Sequence, residues 1–264
     1  MSGPRFAFFA GCMTREQAPG YESSARAVLA CLGVELVDLP FACCGRPVRG
    51  IDRFAFVYAG VRNLALAEQA GLTVLTACKC CFGNLRHAAR FFEEDGATRA
   101  RVIATLAKEG LCFEGKTGCV HLLTVLRHTV GIEAIVRKVA SPRSGVKVAA
   151  SYGCHGLRPS SVTRLDNPMA PTIFEELLMA TGAEPVDFAA RLECCGSPTA
   201  NEVLSERMAL RKLSSAAQAG AQIICTACPH CQEQLSSAQQ KVGVSTKVLP
   251  YTVLLAEAFG IGPV

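Results

Sequence analysis

The sequence predicts an α/β fold of two pseudo-symmetric lobes, each a small parallel sheet flanked by helices. Three observations predict it. The same cysteine pattern occurs twice, apolar runs alternate with helical patterns in both halves, and each cysteine motif follows an apolar run. Because the carboxyl ends of parallel strands share one edge of a sheet, we expect the three motifs of each half to converge there.

The apolar runs and helical patterns occur in the same order in both halves. Short apolar runs predict buried strands at 6–10, 34–39 and 72–76, and again at 146–151, 185–188 and 222–226. Helical patterns lie between them at 21–32, 52–70, 171–181 and 201–219. The segment 98–144 has no evident counterpart. We therefore expect a first lobe at 1–97, a helical connector at 98–144 and a second lobe at 145–264.

The duplication is clearest in the cysteine motifs. Each half contains a lone cysteine, then C-C-G-x-P, then T-A-C-x-x-C, and the last two motifs are separated by 33 residues in the first half and 32 in the second. Between the lone cysteine and the pair lie 30 residues in the first half and 39 in the second, a difference that one insertion explains. The ten repeated cysteines are Cys12, Cys43, Cys44, Cys78 and Cys81, and Cys154, Cys194, Cys195, Cys228 and Cys231.

Composition limits the classes of protein that this chain can be. Its 264 residues suffice for a core without disulfides, yet 15 are cysteine. The apolar run at 6–11 is too short for a signal peptide, and no run of about 20 apolar residues predicts an integral membrane segment. We therefore expect a cytoplasmic protein, in which cysteines indicate metal or redox chemistry.

The charge pattern argues against nucleic acid as a partner. The net charge is +5, with +7 in residues 1–150 and −2 in residues 151–264, which is weaker than a nucleic-acid interface requires. The chain has no G-x-G-x-x-G motif and no P-loop, so nothing predicts a nucleotide or flavin site.

Five repeated cysteines per lobe favour an iron–sulfur cluster. A structural zinc ion takes four ligands, so five are one too many, and adjacent cysteines chelate a single ion awkwardly. Neighbouring thiolates can instead reach different irons of one cluster. Zinc and purely structural thiols remain the alternatives. The other cysteines are expected to be non-ligands, with any redox role open: Cys31, Cys80, Cys112, Cys119 and Cys225.

This double pattern resembles the B subunit of heterodisulfide reductase and its bacterial relatives, a family of duplicated cysteine-rich CCG domains. The resemblance runs from Cys12 to Cys231 and includes SYGCHGLRP at 151–159. In that family each lobe holds a non-cubane 4Fe–4S cluster through five cysteines, and the two clusters deliver one electron each to a disulfide. By resemblance, the ten repeated cysteines are the cofactor ligands, five for each of two such clusters.

The resemblance implies an oxidoreductase subunit that cleaves or forms a disulfide or sulfur-carrier bond. The substrate would be a disulfide, a persulfide or a lipoate-type sulfur compound. Electrons would pass through partner subunits, namely a flavoprotein and a ferredoxin-like iron–sulfur protein, and such a complex could lie peripherally at a membrane. The alternatives are a non-catalytic subunit that relays electrons between a flavoprotein and a quinone or other acceptor, and a zinc-stabilised interaction protein.

Four further residues lie beside the repeated cysteines. His155 follows Cys154 directly and is the candidate proton donor to a leaving thiolate, with a structural hydrogen bond as the alternative. Arg46, Arg49 and Arg158 are candidates for binding an anionic group of the substrate. Equally, they could offset the negative charge of the thiolates.

Overall fold

Two four-stranded parallel sheets form the framework of the computed structural model, which describes residues 3–13, 18–242 and 245–262. The strand order is β2-β1-β3-β4 in the first sheet and β6-β5-β7-β8 in the second, and every neighbouring pair is parallel. The strands are β1 Arg5–Phe8, β2 Glu35–Val37, β3 Thr73–Thr76, β4 Cys119–His121, β5 Lys147–Ser151, β6 Glu184–Val186, β7 Ile223–Thr226 and β8 Lys247–Pro250. The expected fold class, two α/β lobes with parallel sheets, is confirmed.

Helices connect the parallel strands. In the first half they are α1 Pro19–Cys31, α2 Arg53–Gln69, α3 Lys79–Glu94 and α4 Gly96–Lys108, followed by α5 Leu122–Thr124, a π-helical segment Val125–Gly131 and α6 Ile132–Lys138. In the second half they are α7 Ser160–Thr163, α8 Ile173–Ala180, α9 Glu202–Gln218, α10 Pro229–Val242 and α11 Tyr251–Ala258. None of these helices is long and apolar enough to cross a membrane.

The segment 98–144 is not purely helical. It contains β4, which pairs with β3 as the edge strand of the first sheet, and β8 occupies the equivalent edge of the second. The expectation of a helical segment without a counterpart is wrong on this point. The strand runs directly into the helix that begins at Leu122, so no turn signal separates it from the helical pattern. The outer bounds predicted for the lobes, 1 and 264, lie outside the described residues.

Local sequence explains where the long helices begin and end. Asp52 caps α2 by accepting a hydrogen bond from the Ala55 N–H, and Asn201 caps α9 through the Leu204 N–H. Gly71 and Gly220 follow the C-caps of these helices with left-handed backbone angles. The two helices therefore occupy equivalent places in the two lobes, each delivering the chain to the strand that precedes a C-x-x-C motif.

The two lobes pack directly on each other. Helix α1 lies against α11, and the Ser24 hydroxyl donates to Thr252 Oγ1 at 2.7 Å in this buried contact. Helix α3 lies against α7, where Arg86 Nε donates to the Val162 carbonyl at 2.7 Å. These contacts place the carboxyl ends of both sheets face to face.

His121, at the end of β4, is a fully buried residue of the lobe interface. Its Nε2 lies 3.3 Å from the Ala77 carbonyl and its Nδ1 accepts the Leu123 N–H at 3.2 Å. The backbone of Ala227 is a further hydrogen-bonding neighbour of the ring. Ala77 and Ala227 precede the first cysteines of the two C-x-x-C motifs, so one neutral imidazole connects both motif loops.

The buried ring of His121 predicts acid sensitivity. Burial lowers its pKa to about 3, against about 6.5 when it is unfolded. The unfolded chain therefore binds the proton more readily, and stability is lost as the pH falls from about 6.5 towards 3, by up to about 1.4 kcal/mol per pH unit. Chemical unfolding at several pH values should show that His121→Gln has a shallower acid loss than wild type.

The matched control is His128→Gln, because His128 is exposed. This variant should keep the wild-type dependence of stability on pH. Equal pH dependence in wild type and His121→Gln would contradict the assignment of the acid loss to His121.

Candidate metal centre

The two C-x-x-C motifs meet at the centre of the molecule. Cys78 and Cys228 each stand immediately before a helix, α3 and α10, and their Sγ atoms are 3.9 Å apart. Cys78 is the N-cap of α3, and its Sγ accepts the Cys81 N–H at 3.4 Å. Helix N-termini stabilise negative charge. Hydrogen bonds from Cys231, Cys78 and Cys80 lower the pKa of Cys228 well below its usual range, whereas burial raises the pKa of Cys78.

The five repeated cysteines of the first lobe form one continuous group of neighbouring sulfurs. Cys12 lies near Cys43, which contacts Cys44. Cys81 contacts both Cys44 and Cys78, which completes the group. We call Cys12, Cys43, Cys44, Cys78 and Cys81 the first thiol set. Cys12 and Cys43 are exposed, whereas the other three are buried.

The second lobe repeats this arrangement. Cys194 contacts Cys154 and Cys195, and Cys231 contacts Cys195 and Cys228. We call Cys154, Cys194, Cys195, Cys228 and Cys231 the second thiol set. No cysteine of either set forms a disulfide, and none of the second set is fully exposed. The structure therefore brings all ten repeated cysteines together as two groups of five that touch through Cys78 and Cys228.

Space beside the sulfurs is kept free by glycine. Gly11 and Gly153 have left-handed φ angles of 80° and 68°. A methyl group at Gly11 would lie 3.0 Å from Cys81 Sγ, and one at Gly153 would lie 3.4 Å from Cys231 Sγ. These equivalent glycines leave each set without a side chain pressed against it, which suits a group larger than a single ion.

Hydrogen-bond donors also point at the sulfurs. The Gly196 N–H donates to Cys194 Sγ at 3.4 Å, and Asn84 Nδ2 lies 3.5 Å from Cys44 Sγ. Hydrogen bonds from Cys43 and Cys81 lower the pKa of Cys44 to about 2, and those from Cys154 and Cys195 lower the pKa of Cys194 to about 2. Each set therefore holds a thiolate, the form that binds metal.

The arrangement fits a polynuclear thiolate-bound group better than one ion. In the described ranges, no three His, Cys, Asp or Glu side chains have the arrangement of a single-ion site. Five neighbouring sulfurs per set, with free space and N–H donors beside them, have the donor chemistry of an iron–sulfur cluster.

A small cavity borders the second set. Its lining includes Cys154, Cys195, Cys228 and Cys231 of that set, together with Lys79, Cys80, Tyr152, Gly153, His155, Ser197, Pro198 and His230. His155 Nδ1 lies 3.1 Å from Cys80 Sγ, which in turn lies 3.9 Å from Cys228 Sγ. Burial lowers the pKa of His155, which favours its neutral form. The predicted proton donor thus stands in this cavity.

Three residues of this cavity have places that the sequence did not predict. His230, between Cys228 and Cys231, is buried. Cys80 comes from the first lobe yet contacts residues of the second, and no local pattern reports such a contact. Lys79 could have been noticed from the sequence, because a lysine between two expected ligand cysteines places a cation beside thiolates.

The three predicted arginines do not line this cavity. Arg49 Nη1 donates to Asn84 Oδ1 at 2.9 Å, and Arg158 Nη1 donates to the Leu192 carbonyl at 3.2 Å. Arg46 begins the short 3₁₀ turn that follows the first C-C-G motif. Arg49 and Arg158 therefore brace residues next to the thiol sets, and a role for the three in substrate binding stays a prediction.

Four further cysteines, besides Cys80, lie outside the two sets and differ in their exposure. Cys112 is exposed and Cys31 is half-buried on α1. Cys119 on β4 and Cys225 on β7 are buried, and burial raises the pKa of both thiols. Their expected status as non-ligands stays a prediction.

Comparison with known proteins gives consistent relatives. The cysteine-rich domain family, CCG, matches residues 6–86 and 148–236. The chain is 36% identical to the 8-methylmenaquinol:fumarate reductase membrane anchor subunit of Wolinella succinogenes, covering 97% of this chain and 92% of the relative. It is 32% identical to the B subunit of the ferredoxin/F(420)H(2)-dependent CoB-CoM heterodisulfide reductase of Methanosarcina acetivorans, covering 98% and 90%.

A solved structure shares the fold. The crystal structure of a hypothetical protein from Helicobacter pylori superposes with a TM-score of 0.74 at 16% identity, over 98% of this chain. This chain spans only half of that one, so the likeness concerns the fold alone. The matched family domain occurs once in each lobe and contains every cysteine of the two thiol sets. The chain therefore belongs to the family of duplicated cysteine-rich CCG domain proteins that includes the B subunit of heterodisulfide reductase.

Proposed function

We propose that this chain is the catalytic iron–sulfur subunit of a heterodisulfide-reductase-like complex. The first and second thiol sets would each hold a non-cubane 4Fe–4S cluster, and the pair would cleave or form a disulfide or sulfur-carrier bond. The single observation that carries the proposal is the meeting of two equivalent five-thiol sets at Cys78 and Cys228, 3.9 Å apart. When bound, two adjacent one-electron centres would supply the two electrons that a disulfide requires.

The chain itself would position the substrate sulfurs and exclude water. The cavity beside the second set is small and largely enclosed by buried side chains, which suits a substrate that inserts only its sulfur-bearing end. We propose a disulfide, a persulfide or a lipoate-type sulfur compound as the substrate. The relative from Methanosarcina acetivorans, whose name gives the CoB-CoM heterodisulfide, supports this class of chemistry.

His155 would provide the proton that accompanies cleavage. Reduction of a disulfide takes up two electrons and two protons and yields two thiols. The His155 ring lines the cavity, and its Nδ1 contacts Cys80 Sγ, so the ring can exchange a proton with this buried thiol. Because burial favours the neutral ring, His155 would act as a relay that accepts a proton at one nitrogen while the other nitrogen protonates one leaving sulfur, and the second proton would come from solvent.

The three arginines fit charge compensation better than substrate binding. Arg49 interacts electrostatically with Cys44 and Cys80, and Arg158 holds the backbone two residues before Cys194. Arg46 acts electrostatically on His155 and His230. We propose that all three offset the negative charge of the thiol sets.

We further propose that electrons reach this subunit from partners. The relatives from Methanosarcina are named as subunits of heterodisulfide reductases, which supports partner subunits here as well. A flavoprotein and a ferredoxin-like iron–sulfur protein are the partner classes that the family resemblance implies. The complex would be cytoplasmic or would lie peripherally at a membrane through its partners.

A second candidate is electron relay without sulfur catalysis. The Wolinella succinogenes relative is named as the membrane anchor subunit of an 8-methylmenaquinol:fumarate reductase. This name favours a subunit that passes electrons between a flavoprotein and a quinone. In that function the two thiol sets would still hold clusters, but the cavity beside His155 would bind no sulfur substrate.

Iron analysis tests the cofactor assignment. Anaerobically purified wild type should contain about eight iron atoms per chain, from two four-iron clusters. Cys81→Ser removes the sulfur that joins Cys44 to Cys78, so this variant should retain about half of the iron. Cys225→Ser alters an equally buried thiol that contacts neither set and should retain all of it. Wild-type protein with zinc and no iron would overturn the proposal.

Turnover of small disulfides and lipoate derivatives by the intact complex separates the two functions. His155→Gln should lower turnover by about 10²-fold or more, because a positioned proton donor contributes that much. Its iron content should remain at the wild-type level, and the exposed His128→Gln should behave as wild type. A wild-type complex that reduces a quinone from a flavoprotein donor, but turns over no sulfur compound, would instead establish the relay function.

A further inference from the structure

The two lobes repeat each other closely except in their buried charges. Helices α2 and α9 have the same length, and each begins after a capping Asp52 or Asn201. Counting from these caps places Asn63 and Lys212 at equivalent positions. Both side chains have a relative exposure of 0%. A neutral amide in the first lobe therefore corresponds to an amine in the second.

These two side chains have the same structural role. Asn63 Nδ2 donates to the carbonyls of Ala42 and Cys43, at 3.3 and 3.2 Å, and so fastens the loop that carries the first cysteine pair. Lys212 Nζ fastens the equivalent loop of the second lobe. It donates to the carbonyls of Ala190, Arg191 and Glu193, at 2.7, 3.1 and 2.8 Å.

Lys212 is held as a cation. Three carbonyl acceptors require three N–H donors, which only the ammonium form supplies. Among the described ion pairs, none involves Lys212, and the nearby Glu193 carboxylate pairs with Arg211 instead. A buried charge needs an opposite charge close by. The groups that favour the charged form of Lys212 are Cys231 and Cys195 of the second set and then Glu193, and these sulfurs would be thiolates as ligands of a cluster.

A second buried lysine also faces the second set. Lys79 begins α3 in the first lobe, but its Nζ donates to the Tyr152 carbonyl of the second lobe at 2.6 Å. It lines the cavity together with four cysteines of that set, and Cys231 and Cys228 are its strongest anionic neighbours. The equivalent position in the second lobe is Pro229, so the first set receives no corresponding cation.

The first set has weaker compensation. Arg49, which acts on Cys80 and Cys44, is only half-buried. Solvent screens such a charge much more than a buried one. Arg46 is also half-buried and acts on the cavity imidazoles His155 and His230. More buried positive charge therefore lies beside the second set than beside the first.

We infer that Lys212 and Lys79 give the second thiol set the higher reduction potential, so that an electron shared between the two halves resides on the second. The inference rests on the proposed function, because it concerns the clusters that the sets would hold. A fixed positive charge in a low-dielectric interior stabilises the form with the added electron. The cavity with His155 borders this same set, so the electron-rich half is also the half that adjoins the proton donor.

A redox titration of the anaerobically purified full chain, followed by electron paramagnetic resonance, tests the inference. The second set's transition is identified as the one lost in Cys231→Ser. In Lys212→Gln this transition should move to a more negative potential, and its reduction equilibrium constant should fall about tenfold, which equals about 59 mV for one electron. The transition of the first set should stay in place.

Asn63→Lys provides the converse variant. A cation at the equivalent buried position should move the first set's transition to a more positive potential and leave the second unchanged. Both variants should therefore reduce the difference between the two reduction potentials. Lys212→Gln lowers the potential of the second set, and Asn63→Lys raises that of the first. If residue 63 only fastened its loop, a substitution there would not raise the reduction potential of the first set. Asn63→Lys therefore distinguishes an electrostatic effect on the potential from a purely structural role.

Arg211→Gln is the matched control. Arg211 precedes Lys212 on α9, but its side chain is 69% exposed and paired with Glu193. Removing this screened charge should leave both transitions in place. If Lys212→Gln releases iron because the loop that Lys212 anchors comes apart, Lys79→Met tests the inference. Lys79→Met removes a buried charge but leaves the hydrogen bonds of Lys212 to its three carbonyls intact. It should shift the second set's transition to a more negative potential.

The outcomes distinguish this inference from the proposed function. Variants with wild-type iron content and unshifted transitions would overturn the inference and leave the clusters established. A second-set transition that is already the more negative one in wild type would also overturn it. Absence of iron from wild type would instead remove the proposed function on which the inference rests.

Discussion

The approach of Cys78 to Cys228 is the constraint on which the rest of the molecule depends. Two helix N-termini bring the sulfurs of Cys78 and Cys228 within 3.9 Å of each other in a buried region. As ligands of a cluster both would be thiolates, and their approach would be unfavourable unless the surroundings compensated for the like charges. His121 ties the two motif loops together, and buried N–H donors and lysines supply the opposing charge.

Duplication explains how one short chain can assemble this centre. Each parallel sheet gathers three cysteine motifs at its carboxyl edge, which is where α/β sheets place their functional groups. Packing of α1 against α11 and of α3 against α7 then turns the two edges towards each other. The resulting site has approximate symmetry in its sulfurs. Its buried lysines break this symmetry, because Lys79 and Lys212 both act on the second set, whereas cavities border both sets.

The sequence predicted the framework well because its signals are local. Six of the eight strands follow from apolar runs, and the long helices follow from caps and from glycines such as Gly71 and Gly220. The edge strands β4 and β8 were missed because each runs directly into a helix, at Leu122 and at Tyr251, so no turn signal separates the strand from the helical pattern. Convergence of the ten cysteines was predicted from topology alone, since every motif follows a strand.

The contacts between the lobes were not predictable in the same way. The pairing of Cys80 with His155 and the reach of Lys79 to Tyr152 depend on how two separately folded surfaces meet. No spacing within either half encodes these contacts. The equivalence of Asn63 and Lys212 is different, because alignment of α2 with α9 from their caps reveals it directly. In a duplicated sequence, equivalent positions that differ between the halves, such as Asn63 and Lys212, are therefore as informative as the repeated cysteines.

The reach of Lys79 has a consequence for how the repeat could have evolved. A pair of identical copies would carry the same residue at both places, whereas the present chain has Lys79 in one half and Pro229 in the other. The ammonium beside the second half is therefore contributed by the first. The halves are no longer interchangeable, because a second half produced alone would lack part of its counter-charge.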